Sequence, residues 1–269
     1  MTRTAPASRT ERWPVSVRHP GDRAAPARDI AVGVDGSAGS AQALRWAFDE
    51  AKRRRDALTV VTAWSGRDRW SAGSAMAGEW LARAVATTAV DDVLGPAGRG
   101  VHVWVPARPG SAASVLRWVS RRVDLLVVGR GAGMTMESGD PLASSATWRV
   151  IAGSGCPVVV VGAQSAVRWA RIVAGRDGSP ASEAAVAWAR AEALRTGAEF
   201  VPVWAPDGSE PLGVLLAAAA TADLLVVGAR EGAVSPGEPG TLCAGLARRS
   251  PCPMVVVPGR VVVPGRPVG

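Results

Sequence analysis

VDLLVVG, Val123 to Gly129, returns 99 positions later as ADLLVVG, Ala222 to Gly228. A short apolar run without polar alternation suits a strand covered on both faces, the setting of a parallel sheet. Its recurrence points to a duplication. VGVDGS at Val32–Ser37 is echoed by AGRDGS at Ala174–Ser179, and Trp46 by Trp188, both at an interval of 142. GCPVVVVG at Gly155–Gly162 is echoed by PCPMVVVPG at Pro251–Gly259, with Cys156 and Cys252 separated by 96. Four matches in one order make the chain a tandem repeat.

The shrinking interval locates a deletion. Trp64 lies 60 positions before Asp124, whereas Trp204 lies 19 before Asp223. Copy two therefore lacks about 41 residues, roughly one helix, one strand and their turns. In copy one the pattern predicts strands at Ile30–Val34, Leu58–Ala63, Val101–Val105, Leu125–Val128 and Val158–Val161. Between them it predicts helices near Ser40–Arg54, Ser74–Leu94, Ala112–Arg121 and Ala143–Ile151. Copy two keeps strands at Ile172–Ala174, Phe200–Trp204, Leu224–Val227 and Met254–Val257. Its first helix is signalled by Ser179 as N-cap, Pro180 in the first turn and Gly197 past the end. Strands alternating with helices give an α/β fold of two tandem open parallel sheets.

The division follows: a basic disordered tail at 1–28, a first domain at 29–163, a truncated second domain at 168–259, and a tail at 260–269. Residues 1–28 hold six arginines, two acids and four prolines without an apolar rhythm, a composition that cannot build a core. The tail carries half of the chain's net charge of +8, and Lys52 is the sole lysine. That excludes a lysine-bearing phosphate loop, because Lys52 lacks the glycines such a loop requires. The remaining positive charge is widely spread, so nucleic acid is not an expected partner. Three cysteines, Cys156, Cys243 and Cys252, are too few for a disulfide framework and point to a reducing compartment. Cys156 and Cys252 precede a proline and a buried strand, where a structural thiol is expected. With two histidines and no CxxC pair, neither a zinc site nor a catalytic triad is expected. The longest apolar stretch, Leu212–Gly228, contains Asp223 and reads as helix then strand, so no membrane span is expected. The cluster Arg53, Arg54, Arg55 closes the first helix, where cations suit the macrodipole without any partner.

Ligands in open α/β sheets bind beyond the carboxyl ends of strands, where the strand order reverses. Asp35-Gly36-Ser37 lies there in copy one and Asp177-Gly178-Ser179 in copy two. Such an aspartate can accept from a ribose hydroxyl, or it can form an Asx turn capping the next helix. Gly129-Arg130-Gly131-Ala132-Gly133 follows the fourth strand, with Ser144-Ser145 opening the next helix. Glycines there permit close approach of backbone to phosphate, or simply a tight turn.

Together DGS after the first strand, DLLVVG followed by glycines, and a short helix ending in GCPVVVV resemble the universal stress protein family in its tandem form. The resemblance covers about Asp29 to Gly259. It implies a Rossmann-like adenine-nucleotide-binding fold of strand order 3-2-1-4-5, a cytoplasmic location and a role in stress survival. In that order strand three is an edge, so its loss leaves 2-1-4-5 with the switch point intact. The new edge is expected to be covered by copy one or by a partner.

The family's ATP-binding members carry G-x2-G-x9-G-[ST] after strand four. Registered on GCPVVVV, the positions in copy one are Gly131, Met134, Ser144 and Ser145; Gly131 and the final hydroxyl match. In copy two they are Val227, Arg230, Gly240 and Thr241, with the first glycines displaced to Gly228 and Gly232. The implied site is thus Asp35 and Ala63 at the adenosine, with Gly129, Gly131, Ser144 and Ser145 at the phosphates. A weaker second site comprises Asp177, Gly228, Gly240 and Thr241. ATP or another adenine nucleotide is the implied ligand, with Mg²⁺ or with Arg130 or Arg230 offsetting the loop acids Glu137, Asp140, Glu231 and Glu238. Trp64, near the switch point, could touch an adenine ring. The expectation is a non-catalytic regulator that self-associates through its two copies or as a homodimer. Its rivals are a nucleotide-free scaffold engaging an unknown protein partner, aided by a strand at Val261–Val263, and thirdly a slow ATP hydrolase.

Overall fold

Strands form where the unbroken apolar runs lie. The computed structural model describes residues 29–64, 75–95, 100–130, 146–162, 169–204, 210–229 and 241–259. Both expected tails, with Val261–Val263, lie outside them. Copy one runs β1 (Asp29–Gly33), α1 (Ala38–Arg54), β2 (Ala57–Trp64), α2 (Ala75–Leu94), β3 (Val103–Trp104), β4 (Ala107–Pro109), α3 (Ala112–Ser120), β5 (Leu125–Gly129), α4 (Ala146–Ile151) and β6 (Val158–Val161). Copy two runs β7 (Arg171–Arg176), α5 (Pro180–Thr196), β8 (Glu199–Trp204), α6 (Pro211–Ala219), β9 (Leu224–Ala229), α7 (Thr241–Arg249) and β10 (Met254–Pro258). Helix α5 begins and ends as its sequence requires: Ser179 accepts from the Ser182 amide, Pro180 sits in the first turn, and Gly197 is left-handed. The strand expected at Val101–Val105 is divided into β3 and β4, both pairing with β2. Pro106, which has no amide to donate, falls between them.

The strands form one continuous sheet in the order β3-β2-β1-β5-β6-β10-β9-β7-β8. Neighbours are parallel except β6 and β10, which are antiparallel. Copy one thus reads 3-2-1-4-5 in its own strand count, and copy two reads 2-1-4-5. The sheet divides two cores. Leu125 and Val127 of β5 face α1, α2 and α5, while Leu126 and Val128 face α3, α4, α6 and α7. These side chains are essentially without solvent contact, and each contributes about 1.5–3 kcal/mol by leaving water.

The two copies meet strand to strand. Met254 lies opposite Val160, Val255 opposite Val159, and Val256 opposite Val158. Val159 and Val255 occupy the same place in the repeat, so a local two-fold axis passes through their pair, the geometry of a symmetric dimer interface. On one face of the sheet the same symmetry brings the ends of α1 and α5 together. Arg54 donates to Glu192 at 3.2 Å, and Arg195 donates to Glu50 at 3.0 Å. Within each helix Glu50 also accepts from Arg53 and Arg54, and Glu192 from Arg195. Glu50 is 2% exposed and Glu192 5%. Trp46 stacks on Trp169 with centroids 5.8 Å apart, and the Arg53 guanidinium lies 4.2 Å above Trp169. Burial and the neighbouring Arg195 push the Arg53 pKa down to about 10, leaving it charged at neutral pH. Arg53 and Arg54 therefore have a definite partner in the second copy, against the macrodipole reading of their position.

The edge left by the deletion is β8, which pairs with β7 alone. Among the described residues copy one does not cover it, because the copies have joined at their opposite edges, so of the two expected covers only a partner is left. Pro202 interrupts this edge, removing a donor that an incoming strand would need.

Removing Glu50 from the α1–α5 network leaves Arg53, Arg54 and Arg195 to share Glu192. Glu50→Ala is expected to cost about 3 kcal/mol of stability, read as a lower denaturant midpoint, whereas exposed Glu79→Ala should be nearly neutral.

The opposite end of the sheet supplies a pH-dependent term. The amino ends of β1, β2 and β5 gather Asp29, Asp56 and Asp124. Burial, then the charges of Asp124 and Asp56, push the Asp29 pKa up to about 6. Between pH 4 and 6 the folded chain holds a proton that the unfolded chain has released, so this group lowers stability as pH rises through that window. Asp29→Asn is expected to raise the melting temperature at pH 7.5, the gain vanishing as pH falls to about 4.

Candidate functional site

The carboxyl ends of β1, β2 and β5 place Asp35, Ala63 and Gly129 around one switch point of the sheet. The sequence DGS forms an Asx turn there. Asp35 Oδ1 accepts from the Ser37 amide at 3.0 Å, and the Ser37 hydroxyl accepts from the Ser40 amide at 3.2 Å, capping α1. Gly36 bends the chain with φ +83°, a conformation that disfavours any side chain. Burial pulls the Asp35 carboxyl toward protonation, but hydrogen bonds from Ser37 and Ser40 outweigh it and hold the pKa below its ordinary value. Asp35 is thus ionised and exposed at neutral pH. The Asx-turn reading of this aspartate holds, and the turn leaves its carboxylate exposed.

Copy two repeats the turn. The Ser179 amide and hydroxyl donate to Asp177 Oδ1 at 2.9 and 2.6 Å, and Ser179 caps α5.

The two copies differ in what stands behind the turn. In copy one α2 closes over it: a side chain at Gly36 would sit 3.3 Å from Val85, and one at Gly78 would sit 2.7 Å from the Trp64 ring. Trp64 is thereby packed beneath α2, its indole nitrogen buried without a partner. Copy two has no counterpart of α2, and Trp204 stands 56% exposed near Gly178. The Arg176 guanidinium lies 5.7 Å from its ring.

Gly129 has a demand on it that the sequence does not announce. A methyl group there would lie 2.2 Å from the Gly39 carbonyl oxygen and 2.9 Å from the Ser40 nitrogen. The first turn of α1 packs directly on the end of β5. Gly228 meets the same constraint, 2.3 Å from the Ala181 carbonyl oxygen. Both glycines are therefore needed by the helix that crosses them, a demand separate from any contact of their backbone with phosphate. Arg130 is also committed: it donates to the Ser250 carbonyl at 2.9 Å across the junction of the copies, and burial lowers its pKa.

Gly131, Ser144, Ser145 and Gly240 lie outside the described residues, as do Arg230, Glu137, Asp140, Glu231 and Glu238. Thr241 opens α7. None of the three cysteines forms a disulfide and all are buried; burial pushes the Cys156 thiol up to about 12 and raises that of Cys252, which suits a packing role. Among the described residues no group of three His, Cys, Asp or Glu could hold a metal ion, and no helix is long and apolar enough to cross a membrane.

The α1–α5 ion network was missed by sequence reasoning, though a signal existed. Glu50-Ala51-Lys52-Arg53 and Glu192-Ala193-Leu194-Arg195 place E-A-x-R at equivalent points of the repeat.

Gly129→Ala is expected to destabilise the chain by about 3 kcal/mol or more, since backbone rather than a flexible side chain must yield. Thermal denaturation without nucleotide measures this directly; an unchanged midpoint would free Gly129 for ligand contact alone.

Comparison with known proteins agrees with this geometry. Residues 26–162 match the sequence profile of the Universal stress protein family. A universal stress protein of Mycolicibacterium smegmatis is 34% identical over 195 residues, covering 68% of this chain and 66% of that protein. One from Mycobacterium tuberculosis is 29% identical over 190 residues, covering 65% of this chain and 63% of its own. The chain therefore spans slightly less than two thirds of the length of these relatives. A solved universal stress protein from Archaeoglobus fulgidus shares the fold with a TM-score of 0.67 at 17% identity, covering 86% of this chain and 96% of that one.

Proposed function

The chain belongs to the universal stress protein family, and we propose that it acts as a non-catalytic regulator of stress survival in which copy one holds an adenine nucleotide. The observation that carries this reading is the difference between the two DGS turns. Asp35 presents an ionised, exposed carboxylate with α2 as a wall behind it, while the equivalent of that wall is deleted beside Asp177. A carboxylate so placed accepts from ribose hydroxyls, and the ends of β1 and β2, with Ala63, offer backbone to the base. The phosphates then fall to the Gly129 backbone and the segment beyond it containing Gly131, Ser144 and Ser145, the side-chain space of Gly129 being taken by the first turn of α1. Magnesium accompanying the phosphates would offset their charge. Buried reduced cysteines suit a cytoplasmic setting.

Purified protein, denatured and assayed by mass spectrometry, is expected to release an adenine nucleotide near one equivalent; protein stripped of it should melt higher on adding ATP. Both effects should be lost in Asp35→Ala and kept in Asp177→Ala. No nucleotide and no shift at millimolar ATP would favour a second reading, the nucleotide-free scaffold. That reading has its own support in the β6–β10 junction, which builds a dimer-like platform within one chain.

A further inference from the structure

Helix α3 carries a surface that neither the nucleotide reading nor the fold requires. Between Asp92 and Asp124 the chain has five arginines and no acid. Four of them, Arg108, Arg117, Arg121 and Arg122, fall on β4, α3 and its end. Trp118, 37% exposed, has two guanidiniums over its ring, that of Arg108 at 4.0 Å and that of Arg122 at 3.7 Å. Arg122 also donates to the Trp118 carbonyl at 2.9 Å. Arg117 lies across Gly153 and Arg121 against Gly155, positions where any side chain would collide with them. Stacking and packing thus orient these cations, yet among the described residues none of the four forms an ion pair with a carboxylate.

The duplication supplies an internal control. Arg117, Trp118, Arg121 and Arg122 correspond to Leu216, Ala217, Ala220 and Thr221 at the same interval of 99. Helix α6 forms there without a single cation, so capping of the helix dipole does not explain the arginines. They belong to copy one alone.

We propose that this face of α3 is a docking surface for an acidic segment of a partner protein. A guanidinium stacked on an indole leaves its N–H edge outward, a fork matched to carboxylates. Two guanidiniums already lie within 4.0 Å of the Trp118 ring, competing with any nucleic-acid base that would stack there. The charges span little more than one helical turn, a footprint suited to a short run of Asp and Glu. The inference is independent of nucleotide binding at Asp35.

Fluorescence anisotropy of a labelled ten-residue oligoglutamate with the full chain at low salt tests this. Arg121→Glu/Arg122→Glu should weaken binding about tenfold or more, and Arg83→Glu/Arg190→Glu, with the same charge change on α2 and α5, by less than about twofold. Trp118→Leu, which keeps the charges but removes their seat, should weaken it about threefold. Circular dichroism establishes that each variant folds; Arg121→Gln/Arg122→Gln replaces the first pair if it does not. Absence of peptide binding, equal losses in the two charge-reversal pairs, or tighter binding of a ten-nucleotide single strand than of the peptide would each overturn the proposal.

Discussion

A strand paired with its own duplicate organises this molecule. Strands β6 and β10 descend from one repeat unit and lie antiparallel about the pair Val159 and Val255. Antiparallel pairing of equivalent strands is the one arrangement that lets a parallel sheet continue through a two-fold axis. It joins two sheets at their final strands and removes both of those edges from solvent. Each copy's strand one and strand four then sit well inside a single long sheet, buried on both faces, which is why their sequences are unbroken apolar runs.

The same axis explains the charged residues at the junction. Glu50 and Glu192, once equivalent, become neighbours' partners, each reached by an arginine from the other helix. Burying two carboxylates is costly in isolation, and the surrounding guanidiniums compensate only when α1 and α5 are held in register by the strands beneath. The network is thus a consequence of the strand pairing, and its reward is a defined alignment of the copies. Truncation of copy two is tolerable for the same reason. The lost helix and strand lay at the far edge from the junction, so neither the pairing nor the network is disturbed. What the loss leaves behind is a proline-interrupted edge and a half-exposed Trp204.

Function in this fold has to share backbone with packing. Asp35 illustrates a compatible sharing, since one carboxylate both closes a turn and remains ionised and exposed. Gly129 illustrates a demand made by packing: the space where its side chain would stand is filled by the first turn of α1. The arginines of α3 show a third case, in which the two copies differ at a surface that is Arg117, Trp118, Arg121 and Arg122 in one and Leu216, Ala217, Ala220 and Thr221 in the other. Duplication permits this, because either half can depart from the shared pattern while the common core is maintained by the other elements.

Much of this was legible from residue order. Repeat intervals showed two copies and the deletion; unbroken apolar runs showed parallel strands; Ser179, Pro180 and Gly197 marked a helix at both ends. These signals are local, written in the periodicity and backbone preference of neighbouring residues. DGS was equally readable as an Asx turn. The partners of Arg53, Arg54 and Arg130, the double duty of Gly129 and the pairing of Trp118 with Arg108 were not. Each depends on residues brought together from distant parts of the chain, by the strand pairing at β6 and β10 or by the crossing of a helix over a strand end. Sequence by itself determined the elements, their order and their duplication. Tertiary structure decided which charges are neutralised, which glycine is spoken for and which arginines remain to be met, because those are properties of distances across the sheet rather than along the chain.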